Sequence, residues 1–162
     1  IEGNLDLYAA HLPLDAHSEV GNNIAIARRL GLQDIQGFAP YKGRMLGFKG
    51  ALGEGRSADW IASRLGFENP LILPFGNEEI HQVGIVSGGA ATDVLAALSD
   101  GLDCFITGEF EHQHYHDAAE GRITVIAGGH YMTETFGILA LMQHVRDTFG
   151  LKVVFVANPT GL

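Results

Sequence analysis

Short apolar stretches typical of buried strands alternate along this sequence with stretches of helical periodicity, and glycines often separate the two. Residues 85–89 and 125–129 each combine the end of a predicted strand with a Gly-Gly pair, and a helical stretch follows each pair. Glycine supplies the backbone angles that such tight turns require, so shared turn chemistry explains the likeness better than a repeat does. The alternation predicts one α/β domain over residues 1–162, in which helices cover a mixed or parallel sheet.

Capping and turn residues bound several of the predicted segments. Asn22 and Asn23 are suitable N-caps for a helix that Gly31 ends, and Ser57 caps a helix that Gly66 ends. The predicted strands are residues 5–12, 44–52 (interrupted by glycine), 71–75, 82–87, 104–107, 123–127 and 152–157. The predicted helices are residues 24–30, 57–65, 91–98, 109–120 and 132–149.

Charge and cysteine content narrow the classes of function. The net charge is −9, and an acidic surface repels phosphate backbones but attracts divalent cations. Nucleic acid is therefore not expected to be the main partner. The single cysteine, Cys104, lies in a predicted buried strand and is assigned to the core, because a thiolate zinc site needs several cysteines.

The sequence predicts neither a membrane segment nor a targeting segment. The longest apolar run, residues 136–142, is too short to span a bilayer, and no secretory leader is recognisable. The cytoplasm is therefore the expected compartment. Because Ile1, Glu2 and Gly3 resemble the middle of a sequence, the chain is expected to be part of a longer protein.

His130 and Glu134 lie four residues apart at a predicted helix start, so they share one helical face. Imidazole and carboxylate together are good ligands for zinc, iron or manganese. Three apolar residues follow Glu134 on the same face: Ile138, Leu141 and Val145. Glu134 is thus predicted at the entrance to a buried face, where a carboxylate needs a cation or hydrogen-bond donors. Alternatively, Glu134 only stabilises the helix N-terminus.

Two other segments follow predicted strands. Asp15 comes just after the first predicted strand, and α/β proteins place their sites at such strand ends. Without other information, the residues around Asp15 favour ordinary turn and cap chemistry. Ser87-Gly88-Gly89 could hold a phosphate at a helix N-terminus, and a tight turn is the favoured interpretation.

A histidine-rich stretch follows the strand at residues 104–107. Glu109 begins it, and His112, His114 and His116 lie within five residues. One of these histidines is expected to be functional and the others to face solvent.

Three strand ends in one sheet could bring Asp15, Glu109 and His130 into one cleft. A cleft rich in carboxylate and imidazole, without cysteine, suits a hydrolytic metal. The sequence contains no dinucleotide-binding glycine pattern, no phosphate-binding loop with a Gly-Lys-Ser/Thr ending and no nucleophile turn of the Gly-x-Ser-x-Gly type.

Several segments taken together resemble the NIF-three-like family in its bacterial form. They occur in the family's order: residues 11–17 with 21–23, residues 105–109 with His116, Ala118 and Glu120, residues 129–134, and residues 158–159. The resemblance covers the whole chain, which corresponds to the C-terminal two-thirds of members named GTP cyclohydrolase 1 type 2 homologs. It implies an α/β fold and assembly into ring-like homohexamers.

The resemblance also implies a dinuclear metal centre. Zinc, manganese or iron ions, two per subunit in the family, are held there by residues that correspond to Asp15, His130 and Glu134. The family's adjacent His-His pair has no counterpart in this sequence, so fewer ions and weaker binding are expected here.

Glu109 and His116 match family positions near the metal centre. They are predicted as the catalytic residues that carry protons. His116 is expected to point towards the cleft, whereas His112 and His114 are expected to be exposed.

The resemblance implies a metal-dependent hydrolase that opens the imidazole ring of GTP with loss of formate. Arg28, Arg29 and Lys42 are candidates for binding the triphosphate. The alternative is a metal-binding oligomeric scaffold or regulatory protein without turnover. A third possibility is a dinuclear hydrolase of another phosphorylated or cyclic substrate.

Overall fold

The computed structural model describes residues 3–159, and a six-stranded mixed sheet forms its centre. The strands are β1 Gln33–Tyr41, β2 Arg44–Arg56, β3 Leu71–Pro74, β4 Ile80–Val86, β5 Cys104–Thr107 and β6 Thr124–Ala127. Their order across the sheet is β1-β2-β4-β5-β6-β3. β4, β5 and β6 are parallel to one another, and the other pairings are antiparallel. The predicted α/β fold class is confirmed, and of the two predicted sheet types, mixed or parallel, the structure shows the mixed one.

Six α-helices connect or flank these strands in the described residues. They are α1 Leu12–Asp15, α2 Asn22–Leu30, α3 Ala58–Leu65, α4 Val94–Ser99, α5 Tyr115–Gly121 and α6 His130–Phe149, with single 3-10 turns at Ala91–Asp93 and His112–His114. The predicted cap of α3 is confirmed, since Ser57 Oγ accepts a hydrogen bond from the Trp60 backbone N–H at 3.2 Å. None of the described helices is both long enough and apolar enough to cross a membrane.

The central strands separate two apolar cores because successive side chains of a strand point to opposite faces. Ile85, Ile106 and Ile126 belong to the core that α2 and α3 cover. Val86, Phe105 and Val125 belong to the core that α4 and α5 cover. Cys104 is fully buried, and burial raises the pKa of its thiol, as expected for a core cysteine.

Strand predictions were wrong at both ends of the described chain. Residues 5–10 form no strand, and the segment predicted to complete that strand instead begins the short helix α1. Residues 152–157 also form no strand. Both segments have strand-like composition, but a strand requires a hydrogen-bonded partner, and neither has one among the described residues. The exposed strand β1 was missed because most of its side chains lie outside the core.

The face of α6 that packs on the protein also differs from the prediction. Thr133 and Gly137 are its buried residues, whereas Ile138 is 44% exposed. A Cβ atom at Gly137 would lie 2.7 Å from Asn22 Oδ1, so glycine allows α6 to approach the start of α2 closely. Backbone proximity, rather than an apolar stripe, therefore sets the rotation of α6.

Candidate metal centre

The carboxyl ends of β4, β5 and β6 meet at one edge of the sheet, and backbone hydrogen bonds tie the turns that follow them. The Gly88 carbonyl accepts from the N–H groups of Gly108 and Glu109 at 2.9 and 3.0 Å. The Gly129 N–H donates to the Gly108 carbonyl at 2.9 Å. This is the edge where open α/β sheets hold their ligands.

Asp15 reaches this edge from the last residue of α1 and is buried. Its Oδ1 accepts hydrogen bonds from Asn22 Nδ2 at 2.7 Å and from Ser87 Oγ at 3.1 Å. Because both donors act on Oδ1, the orientation of the carboxylate is set and Oδ2 is the oxygen left for a cation. Burial of a carboxylate is costly without such partners.

Two asparagines at the start of α2 hold the elements around Asp15 together. Asn22 Oδ1 accepts from the Gly137 N–H at 2.6 Å, and Asn23 Oδ1 accepts from the Ser87 N–H at 2.7 Å. Asn23 Nδ2 also donates to the Asp15 carbonyl at 3.2 Å. The N-cap of α2 is Gly21, so these side chains do not cap the helix as predicted. They join α1, β4 and α6 instead.

His11, Asp15 and Glu134 form a group whose potential ligand atoms all lie within 4.8 Å of one another. His11 immediately precedes α1, and Glu134 lies in the first turns of α6. Nitrogen and carboxylate ligands in this arrangement could hold a metal ion. His11 was not among the predicted ligands, although its four-residue spacing from Asp15 is the same as that between His130 and Glu134.

His130 adjoins this group through Glu134. Its Nε2 lies 3.2 Å from Glu134 Oε1, and its Nδ1 lies 2.7 Å from Glu109 Oε1. Burial by itself would lower the pKa of His130, but the hydrogen bonds and negative charges of Glu109 and Glu134 outweigh burial and raise it. The structure thus brings Asp15, His130 and Glu134 to one place, and their service as metal ligands stays a prediction.

Glu109 and Glu134 contact opposite sides of the His130 ring. Glu109 Oε1 lies beside Nδ1, whereas Glu134 Oε1 lies beside Nε2. A carboxylate on one imidazole nitrogen orients the ring and leaves the other nitrogen to a metal. The geometry therefore favours a positioning role for Glu109 beside the proton-carrying role predicted from the sequence.

The predicted orientation of His116 was wrong. His116 is exposed, and its ring packs edge-on against Tyr115 with centroids 5.5 Å apart. His114 is the half-buried histidine, and its Nδ1 lies 3.0 Å from Asp117 Oδ2. His114 is the N-cap of α5, which begins at Tyr115, and its ring contacts Asp117 in the first turn of that helix. His112 is exposed, as predicted.

The segment Ser87-Gly88-Gly89 forms a tight turn. Gly88 has a φ of +71°, and its N–H donates to Thr133 Oγ1 at 3.1 Å. A Cβ atom at Gly88 would lie 2.6 Å from Glu134 Oε1. Glycine at this position therefore makes room for the Glu134 carboxylate.

These features define a mixed-sheet α/β protein in which imidazole and carboxylate groups gather at the carboxyl ends of parallel strands. A family model for Duf34/NIF3 (NGG1p interacting factor 3) matches residues 1–160. The chain belongs to this family.

Relatives and solved structures agree with this assignment. Proteins named GTP cyclohydrolase 1 type 2 homolog from Archaeoglobus fulgidus and Deinococcus radiodurans are each 45% identical over 100% of this chain. The chain spans 65% and 63% of their respective lengths. The crystal structure of TTHA1606 from Thermus thermophilus has a TM-score of 0.84 at 41% identity, covering 99% of this chain and 64% of that chain. The structure of protein ybgI, described as of unknown function, has a TM-score of 0.84 at 35% identity, covering 94% of this chain and 62% of that chain.

Proposed function

We propose that this protein binds a divalent metal at the His11, Asp15, Glu134 and His130 cluster and acts as a metal-dependent hydrolase. The observation that carries the proposal is the approach of His11, Asp15 and Glu134 ligand atoms to within 4.8 Å of one another. A GTP cyclohydrolase-type reaction, the opening of the guanine imidazole ring, is the activity suggested by the names of the relatives.

The donor set suits zinc, manganese or iron. Two carboxylates offset the charge of a divalent cation, and imidazole nitrogens match the borderline softness of these metals. The half-buried Glu134 lies close to His11 and Asp15 and also to the ring of His130. Glu134 would therefore hold a divalent cation together with Asp15 and a neighbouring imidazole.

Each side chain has a role that follows from its contacts. A bound divalent metal supplies Lewis acidity and lowers the pKa of coordinated water. The hydrogen bonds to Oδ1 fix the carboxylate of Asp15, which would hold the cation through its other oxygen. Glu109 holds the Nδ1 side of His130 and is itself exposed at the rim, so it can exchange a proton with solvent.

The direct test combines a binding measurement with a product assay. Purified protein is titrated with manganese, zinc and iron by calorimetry and then assayed for formate release from GTP. Saturable metal binding together with metal-dependent formate release supports the proposal. Metal binding without formate release would support the metal centre but reject the GTP reaction. Absence of metal binding would reject both.

His11 provides a specific test of the metal site. The His11→Ala variant is expected to lose at least about tenfold in manganese or zinc affinity, because it removes the one imidazole of the three-residue group. Calorimetric titration checks this. His144→Ala is the matched control, since His144 is exposed and lies ten residues after Glu134 on α6, about 15 Å along the helix axis. Equal losses in both variants would contradict a ligand role for His11.

Glu109 is expected to act on the metal through His130. Glu109→Ala should reduce metal affinity by about 10- to 100-fold, because it removes the group that orients the imidazole. Glu109→Gln should recover part of the loss, since its side-chain oxygen can still accept a hydrogen bond from Nδ1. Nitrogen-15 chemical shifts of His130 should show a change of tautomer only in the alanine variant. An unchanged tautomer in that variant would contradict the positioning role.

A metal-binding oligomeric scaffold without turnover is the second candidate. It is favoured by apolar side chains that α6 leaves exposed, among them Leu139 at 42% and Phe149 at 65%. An apolar groove also runs between α6 and residues 153–156. Light scattering tests assembly: a mass well above the 17.4 kDa of one chain, reduced by Leu139→Asp, supports this candidate. A homohexamer is the assembly that we propose from the family resemblance.

A further inference from the structure

A hydroxyl, an imidazole and a carboxylate form a continuous line of hydrogen bonds beside the starts of α4 and α5. Thr92 Oγ1 lies 3.2 Å from His114 Nε2, and His114 Nδ1 lies 3.0 Å from Asp117 Oδ2. Thr92 belongs to the 3-10 turn that precedes α4, whereas His114 belongs to the one that precedes α5. The fold therefore brings together residues from two separate segments, and none of them belongs to the metal group.

The neighbouring Gln113 fixes the tautomer of His114. Gln113 Nε2 lies 2.7 Å from Glu111 Oε2, and because a carboxylate oxygen only accepts, this nitrogen is the amide donor. The same nitrogen lies 3.3 Å from His114 Nε2, which must therefore accept. The ring proton is then on Nδ1 and is donated to Asp117, while Nε2 is free to accept from the Thr92 hydroxyl. This is the order of groups in which an imidazole acts as a general base towards a hydroxyl.

Distances and exposure also fit a reactive hydroxyl. Both contacts of the imidazole lie within about 2.6–3.2 Å, the usual reach between a nucleophile, its base and the group that orients the base. The His114 side chain is only 12% exposed, whereas Thr92 is exposed and can meet a ligand from solvent. An acidic residue in the first turn of α5 explains Asp117 by the helix dipole alone, but not the hydroxyl on the other imidazole nitrogen.

The charges around the cluster indicate which kind of group Thr92 can accept. Two carboxylates, Glu111 and Asp117, contact Gln113 and His114 directly. No lysine or arginine forms a salt bridge with either carboxylate among the residues that the structure describes. A phosphate ester would be repelled by these negative charges without a cation to offset them. A neutral acyl ester meets no such repulsion.

We propose that Thr92, His114 and Asp117 form a second reactive site, at which Thr92 accepts an acyl group from a neutral activated ester. His114 Nε2 takes the proton of Thr92 Oγ1 while that oxygen bonds to the carbonyl carbon. The bond between the carbonyl carbon and the leaving oxygen then breaks, and the leaving group departs with the proton from Nε2. Asp117 holds the ring through Nδ1 and stabilises its positive charge during the transfer.

Gln113 gains a role from the same proton transfer. Once Nε2 of His114 is protonated, it no longer accepts from Gln113. The amide hydrogen is then free to donate to the acyl oxygen, on which negative charge develops at the same stage. Glu111 holds the amide through its other hydrogen. The cluster thus supplies a nucleophile, an oriented base and one donor for the developing charge.

The second site is independent of the proposed metal-dependent hydrolase, because none of its steps uses a metal. It gives His114 the functional role that the sequence predicts for one histidine of residues 112–116. Failure of the acyl transfer would leave the metal centre untouched, and absence of metal binding would leave the acyl transfer untouched.

The test treats the purified protein in EDTA with p-nitrophenyl acetate. Absorbance follows release of p-nitrophenolate, and mass spectrometry of the intact protein and its peptides locates the acetyl group, which is expected on Thr92. Thr92→Val should abolish this acetylation, whereas Thr92→Ser keeps the hydroxyl and should retain it. His114→Ala should slow acetylation by about 100- to 10,000-fold, the usual contribution of a general base. Gln113→Leu should slow it by at least about tenfold.

Thr148→Val and His112→Ala are the matched controls, because both residues are exposed and lie outside the cluster. Both variants should be acetylated at the rate of the unaltered protein. Nitrogen-15 chemical shifts should place the proton of neutral His114 on Nδ1. Thermal unfolding verifies that each variant is folded, and His114→Gln replaces His114→Ala if the alanine variant unfolds.

Four results would overturn the proposal. The first is no acetyl group on Thr92 of the unaltered protein. The second is equal slowing in His112→Ala and His114→Ala, which would show reaction with exposed histidines in general. The third is a proton on Nε2 of neutral His114, since that nitrogen could not then act as the base. The fourth is phosphorylation of Thr92 by p-nitrophenyl phosphate at a rate equal to its acetylation, which would contradict the selection for a neutral acyl group.

Discussion

Replacement of Glu134 by glutamine is expected to weaken divalent-metal binding by about 10- to 100-fold or more. Loss of a group that only supports a metal ligand already weakens binding by that factor, and Glu134 is itself a proposed ligand. The change keeps the shape of the side chain and removes the negative charge. Glu134 lies close to the pair His11 and Asp15 and also to the ring of His130, whose Nε2 is 3.2 Å from Glu134 Oε1. Because Glu134 lies near both His130 and the pair His11 and Asp15, its charge should have a large effect.

Calorimetric titration with manganese and zinc measures this loss. Glu120→Gln is the matched control, because Glu120 is exposed on α5 and removal of its charge lowers only the general negative field. The control should change affinity by less than about twofold at physiological salt. An unchanged affinity in the Glu134 variant would show that the cluster is not the metal site.

Gly108→Ala is expected to destabilise the protein by about 1–3 kcal/mol, the usual cost of overpacking in a well-packed interior. Gly108 is buried where β5 meets the turn after β4 and the start of α6. An added Cβ would lie 2.7 Å from the Gly88 carbonyl oxygen, 2.7 Å from Thr133 Oγ1 and 2.8 Å from the His130 Cα. These are backbone atoms or a buried hydroxyl, so relief requires movement of the turns that carry the site.

Thermal unfolding checks this prediction, since each kcal/mol corresponds to a fall in Tm of about 2–4 °C for a chain of this size. Gly89→Ala is a close control. Its added Cβ would meet Glu109 Oε2 at 3.4 Å, which is ordinary van der Waals contact, and Gly89 is exposed. Equal stability of the two variants would mean that the turns around Gly108 can move apart without lowering the free energy of unfolding. Metal affinity should fall with stability only in the Gly108 variant, because the same shift displaces His130.

Sequence reasoning was accurate where local chemistry decides the structure. β5 was predicted with the bounds that the structure has, because the apolar residues 104–106 and the β-branched Thr107 lie between turn residues. The end of α3 was also correct, since Gly66 takes the left-handed conformation at its C-cap. The proximity of His130 and Glu134 followed directly from their four-residue spacing.

Sequence reasoning was inaccurate where distant segments decide the structure. Residues 5–12 and 152–157 have strand-like composition, yet composition does not supply a hydrogen-bonded partner. His114 and His116 exchanged their expected exposures because the start of α5 lies six residues later than predicted. His11 was not predicted as a ligand, because only the folded structure places this exposed histidine beside Asp15 and Glu134.

The sequence by itself determined the α/β class and the residue types available for a metal, because hydrophobic periodicity and side-chain chemistry are local properties. Only the tertiary structure decided that Asp15 meets Glu134. That contact depends on Asn22, which joins Asp15 Oδ1 to the Gly137 N–H across α1, α2 and α6. It also depends on a helix approach that glycine at position 137 permits. Such contacts arise from the packing of whole elements, which no short stretch of sequence specifies.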